Sequence, residues 1–194
     1  MSTRARQYTA EVVHRAQLSE HLVRLVLGGP GLEGFATTGI LDEWVGLVVP
    51  GQFQSRYYTV RSWTPPDGDR GPELVVDVVV HDHGLVTEWA AREVTGETVT
   101  LTEPKGSFSM TPKDQWLLLV GDLTAMPAMA RIAEATTQVP VRIWAEVPDE
   151  LPGYLPDSAD VTWLTPPAEG ESNLAAVVEG IDWPDGTGYF WMAG

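Results

Sequence analysis

Between residues 7 and 110 the apolar positions come in short runs, each closed by Gly, Pro or Asp. Gln7–Arg15 and Leu22–Leu27 are rich in β-branched and aliphatic residues, and Gly28-Gly29-Pro30-Gly31 then breaks the chain. Trp44–Pro50, Tyr57–Trp63, Leu74–His81 and Thr98–Thr102 repeat the pattern. Six short strands separated by turn chemistry predict an antiparallel arrangement, a six-stranded β-barrel or a sandwich. One helix interrupts it at Leu85–Glu93, because Thr87-Glu88-Trp89-Ala90-Ala91-Arg92 suits a helix better than a strand.

The pattern changes at Trp116. Trp116–Val120 is continuously apolar, as expected of a parallel strand buried on both faces. A helix is predicted at Thr124–Thr136, strands at Val141–Val147 and Val161–Leu164, a helix at Asn173–Glu179 and a strand at Tyr189–Met192. Strands alternating with helices predict a doubly wound α/β unit. The boundary is expected near Thr111–Asp114, giving domains 1–112 and 113–194.

Composition narrows the function. No apolar run approaches the length of a membrane helix, and residues 1–8 hold two Arg but no apolar segment, so no secretion signal is expected. A cytoplasmic location is the simplest reading. There is no cysteine, which excludes disulfides, thiolate metal sites and Fe–S clusters. The net charge of −15 argues against a nucleic-acid partner, since phosphates would be repelled. An anionic cofactor must then be held by scarce cations and backbone amides.

Two stretches concentrate the candidate chemistry. In Arg56-Tyr57-Tyr58-Thr59-Val60-Arg61 the alternation of a strand puts Arg56, Tyr58 and Val60 on one side and Tyr57, Thr59 and Arg61 on the other. Arg56 can neutralise a diphosphate. Tyr58 can lie against a planar ring, and Thr59 with the nearby backbone can hydrogen-bond the polar edge of an isoalloxazine. The same residues also suit a surface strand using Tyr and Thr for β-propensity. In Gly121-Asp122-Leu123-Thr124-Ala125-Met126-Pro127-Ala128 a strand turns into a helix. Gly121 permits close approach to the backbone, Asp122 and Thr124 can cap, and Pro127 fits a first helical turn. This is either a nucleotide pocket or an ordinary capped elbow. His81-Asp82-His83 places two imidazoles on one strand face, but with no third ligand nearby no metal is expected.

The stretch 56–61 resembles the Arg-x-Tyr-Thr-x-Arg motif of siderophore-interacting proteins, a branch of the ferredoxin-reductase-like flavoproteins. Asp77–His81 with Gly84 and Trp89-Ala90 resembles that family's second flavin segment. Pro104-Lys105-Gly106-Ser107-Phe108 resembles its Gly-Pro-Arg-Gly-Ser loop, Gly121–Ala128 its Gly-Asp-Glu-Thr-Ala-Leu-Pro-Ala segment, and Tyr189–Gly194 a late strand. Five segments in order are far more specific than any one. The resemblance implies an FAD-binding barrel followed by an NAD(P)H-binding α/β domain, incomplete at its C-terminal end.

It further implies that Arg56, Tyr57, Tyr58, Thr59 and Val60 hold FAD together with His81, Gly84, Leu85, Val86 and Thr87. Gly121, Asp122 and Thr124 would serve the nucleotide, while Lys105 and Arg131 would attract an anionic ferric siderophore. The implied activity is reduction of ferric siderophores through FAD, with NADPH or NADH as donor and reduced ferredoxin as a possible partner. No side chain is expected to act as a catalytic acid or base. Two other functions fit these features: a general NAD(P)H:flavin reductase serving a separate partner, and a non-catalytic siderophore binder.

Overall fold

A computed structural model describes residues 6–81, 84–168 and 172–194. The chain forms two compact units, the first ending at Ser107 and the second beginning at Phe108.

The first unit contains strands β1 (Gln7–Ser19), β2 (Leu22–Gly28), β3 (Trp44–Val48), β4 (Arg56–Thr59), β5 (Ser62–Thr64), β6 (Glu73–Val79) and β7 (Thr98–Thr102), with helix α1 (Leu85–Ala91) after β6. They form one seven-stranded sheet in the order β4-β3-β7-β1-β2-β6-β5, and every neighbouring pair is antiparallel. The two end strands, β4 and β5, are consecutive in the chain, separated only by Val60 and Arg61. Val60 N–H donates to the Glu43 carbonyl at 2.9 Å and Arg61 N–H to the Val75 carbonyl at 2.8 Å. One residue thus bonds towards β3 and the next towards β6. The sheet therefore curls until both its ends share one stretch of chain, and the covalent chain joins them rather than pairing of β4 with β5. This change of partner is why the expected single strand Tyr57–Trp63 is two.

Alternate residues face the inside of this curled sheet. Tyr8, Ala10 and Val12 of β1, Val23, Leu25 and Leu27 of β2, and Leu74, Val76 and Val78 of β6 are all buried. Val86, Trp89 and Ala90 of α1 join the same core. Burying each large aliphatic side chain contributes about 1.5–3 kcal/mol. Past Val12 the register of β1 against β2 shifts, leaving Val13 exposed. A bulge of this kind interrupts strict alternation, and β1 continues to Ser19, beyond the expected Arg15.

The second unit holds β8 (Leu117–Asp122), α2 (Met126–Ala135), β9 (Val141–Glu146), β10 (Asp160–Leu164), α3 (Leu174–Glu179) and β11 (Tyr189–Ala193). Its four-stranded sheet has the order β10-β9-β8-β11, all parallel. Central β8 is buried throughout Leu117–Gly121, as its unbroken apolar run requires. The two helices cover opposite faces. A side chain at Gly121 would meet Ala125 and Met129 beside and within α2, whereas Leu118 and Val120 pack with Leu174 of α3. The neighbours of β8 are reached by connections running in opposite directions, so its C-terminal end is a topological switch point. Open α/β sheets bind ligands at such points.

Candidate functional site

The first unit contains a cleft of about 310 Å3. One wall is built from Gln52, Gln54, Arg56 and Tyr58, the other from His81, Gly84, Leu85, Val86 and Thr87. Only even positions of the run 52–58 line it; Arg56 and Tyr58 do so by the alternation of β4, while Gln52 and Gln54 precede the strand, with a bend at Gln54. Seven of the expected residues meet here: Arg56, Tyr58, His81, Gly84, Leu85, Val86 and Thr87.

The other three expected residues of the strand lie elsewhere. Tyr57 is 70% exposed, on the opposite side of β4. Val60 is fully buried in the core, and half-buried Thr59 pairs with Trp44 on β3. Asp82 and His83 lie outside the described residues. The sequence reading missed Gln52 and Gln54. The every-second-residue rule that groups Arg56 with Tyr58 reaches them when run backwards, but the candidate stretch starts at Arg56 and leaves 51–55 between two expected strands.

The electrostatics of the cleft differ from those of the chain as a whole. Among its described lining residues there is no Asp or Glu, in a protein of net charge −15. Arg56 donates from Nη1 to Gln54 Oε1 at 3.4 Å and to the Ser55 carbonyl at 3.3 Å, long contacts that leave the exposed guanidinium able to meet an anion. Burial pushes the Tyr58 phenol up to about 12, outweighing the opposite pull of the Arg56 guanidinium. The hydroxyl therefore stays protonated and can donate. On the facing wall Gly84 has φ 136°, a conformation open to glycine but strained for other residues. Its carbonyl accepts the Thr87 hydroxyl and the Glu88 N–H, each at 2.8 Å. A cation, a neutral phenol, amide side chains and described lining residues without a carboxylate fit a flavin nucleotide.

Lys105 does not line the cleft. It sits in a loop fastened to the start of β3: its backbone exchanges hydrogen bonds with Trp44 at 2.7 and 2.9 Å. Buried Asp42 accepts from Ser107 N–H at 2.8 Å and the Ser107 hydroxyl at 2.7 Å. The Lys105 side chain is exposed.

In the second unit, the expected nucleotide residues lie at the switch point. Asp122 Oδ1 accepts from Thr124 N–H at 2.8 Å, the Thr124 hydroxyl at 2.6 Å and Ala125 N–H at 3.3 Å. Asp122 thus caps the turn, while Thr124 donates instead of capping. Pro127 lies in the first turn of α2. Gly121 has a packing reason of its own: a Cβ there would overlap Ala125 Cβ and come within 2.9 Å of the Ala193 carbonyl. Arg131 is half-buried on α2. One residue here went unnoticed in the sequence. Glu146, paired in register with Asp122, is buried and accepts the Asn173 N–H at 2.9 Å, fixing the chain as it enters α3.

Comparison with known proteins gives concordant matches. Residues 51–108 match the siderophore-interacting FAD-binding domain, and residues 114–194 match the siderophore-interacting protein family. An uncharacterised protein of Mycobacterium tuberculosis is 32% identical over 179 residues, covering 79% of this chain and 63% of that protein. The chain thus spans less than two thirds of that relative. The NADPH-dependent ferric-chelate reductase of Escherichia coli is 28% identical over 98% of this chain and 82% of its own length. A crystal structure of a siderophore utilization protein from T. fusca superposes with a TM-score of 0.80 at 25% identity, covering 97% of this chain and 81% of that one.

Proposed function

The chain belongs to the siderophore-interacting protein family, and from that premise we propose that it reduces ferric siderophores through FAD, using NADPH or NADH. The observation that carries this reading is the cleft with Arg56 and Tyr58 on one wall and no acid among its described lining residues. The name of the Escherichia coli relative supports it.

Bound FAD supplies the coupling between a two-electron nicotinamide donor and one-electron reduction of Fe(III). The protein binds and orients. Arg56 neutralises the diphosphate by charge-assisted hydrogen bonds. Tyr58 offers a flat ring and a hydroxyl that keeps its proton at any physiological pH. Gly84 leaves the facing wall clear of a side chain. The nicotinamide nucleotide is assigned to the end of β8, where Asp122 holds the turn into α2. Lys105 and Arg131 are the cations offered to an anionic ferric siderophore. No step requires a side-chain acid or base, because iron leaves once Fe(II), the weaker partner for hard oxygen donors, has formed.

The test is spectroscopic. The purified protein loaded with FAD should be yellow, should bleach anaerobically with NADPH or NADH, and should then release Fe(II) from a ferric siderophore to a ferrous chelator. Absence of colour after FAD loading defeats the proposal. Bleaching without Fe(II) release indicates a general flavin reductase with a separate partner. Colour that neither nicotinamide nor reduced ferredoxin bleaches indicates a binder.

A further inference from the structure

Two side chains in the cleft have no part in the chemistry above. Gln52 and Gln54 share its wall with Arg56 and Tyr58, while 53, 55 and 57 are absent from it. Upstream of β4 the chain bends at Gln54, yet Gln54 and Gln52 still follow Arg56 along the lining in chain order. That succession imposes an order on any long ligand lying along it. With the planar ring at Tyr58 and the diphosphate at Arg56, the next positions upstream meet whatever lies beyond the diphosphate. In FAD this is ribose and then adenine.

The two glutamines are not equivalent. Gln54 is exposed and its Oε1 accepts a long contact from Arg56 Nη1 at 3.4 Å, so it sits beside the guanidinium. Gln52 lies one step further along and is half-buried. Its backbone is fixed by a hydrogen bond from its N–H to the Val49 carbonyl at 3.1 Å. A primary amide carries an acceptor and two donors side by side, matching the adjacent N6 donor and N7 acceptor of adenine. Among the described lining residues no carboxylate competes for that amide by charge.

We infer that Gln52 reads the adenine base of FAD and makes the cleft select FAD over FMN. This rests on the cleft being the flavin site proposed above. A two-point contact of this kind is worth about tenfold in affinity.

Apoprotein titrated with FAD and with FMN, using flavin fluorescence, tests the inference, with ADP and IDP as competitors of FAD. Gln52→Ala should weaken FAD about tenfold, leave FMN unchanged, and abolish a wild-type preference for ADP over IDP. Gln52→Glu keeps the size of the side chain but removes its donors, and should lose the same preference. If Gln52→Ala weakens FAD and FMN equally, or neither, while Arg56→Ala weakens both, the flavin site stands and the role of Gln52 is overturned. If Arg56→Ala and Tyr58→Ala both leave flavin affinity unchanged, the cleft is not the flavin site and the role of Gln52 falls with it.

Discussion

Tyr58 shows at the scale of one residue what a sequence discloses and what it withholds. Its place on the strand, two positions from Arg56, followed from alternation alone. Its protonation did not, because the pKa depends on how deeply the folded chain buries the ring. Desolvation disfavours the phenolate and holds the group at about 12, above the unfolded value of 10.0. The sign of the linkage is then fixed. Below pH 10 both states are protonated and the full stability is present; between about 10 and 12 the unfolded chain alone ionises and stability is lost. Melting temperature should therefore fall as pH rises through this window, less steeply in Tyr58→Phe than in wild type. Flavin affinity should be insensitive to this group from about pH 6 to about 9, while Tyr58→Phe, lacking the donor, should bind FAD about 3–10-fold more weakly. An equally steep alkaline loss in both proteins would assign the titration to another group.

At the scale of the element, the prediction concerns Gly84 and Gly121, both expected among the cofactor-binding residues. They differ once packing is known. Gly84 has φ 136°, and an added Cβ would lie 3.2 Å from Thr87 Oγ1 and 3.4 Å from His81 Cε1. Gly84→Ala should cost about 1–3 kcal/mol as backbone strain and weaken FAD binding, because both flanking residues line the cleft. Gly121 has no such φ. Its missing side chain is filled by Ala125 and by the Ala193 carbonyl, so Gly121→Ala should cost about 1–3 kcal/mol by overpacking of β8 against α2 and β11. Urea unfolding together with FAD titration separates the two, and Gly84→Ala with unaltered FAD affinity would contradict the site. The elements themselves were largely readable, because period-2 runs and an apolar parallel strand are local signals. Their ends were less so: α2 starts at Met126 rather than Thr124, because the Asp122 carboxylate turns residues 122–125 into a capped bend.

For the whole molecule the governing quantity is charge. With −15 spread over 194 residues, an anionic ferric siderophore is repelled at long range, and the range of that repulsion shrinks from about 30 Å at 0.01 M salt to about 8 Å at 0.15 M. KM for an anionic ferric siderophore should therefore fall several-fold over this interval, measured as initial rates of Fe(II) release. A KM that rises instead would mean that local cations such as Lys105 or Arg131 steer the substrate.

Legible in the amino-acid order alone were the two-part organisation of the chain, the antiparallel and then parallel strands, the −15 charge and the cation–phenol pair of β4. These depend on neighbours along the chain, on alternation, on turn residues and on counting. It took the folded chain to reveal that the strand 56–64 changes partner at Val60 and Arg61, because partner choice is a contact between residues far apart in sequence. Folding alone brought His81 and Gly84–Thr87 into one cleft with Arg56 and Tyr58. The physical reason is the same: a cleft is a property of the space between segments, and periodicity along either one does not encode it.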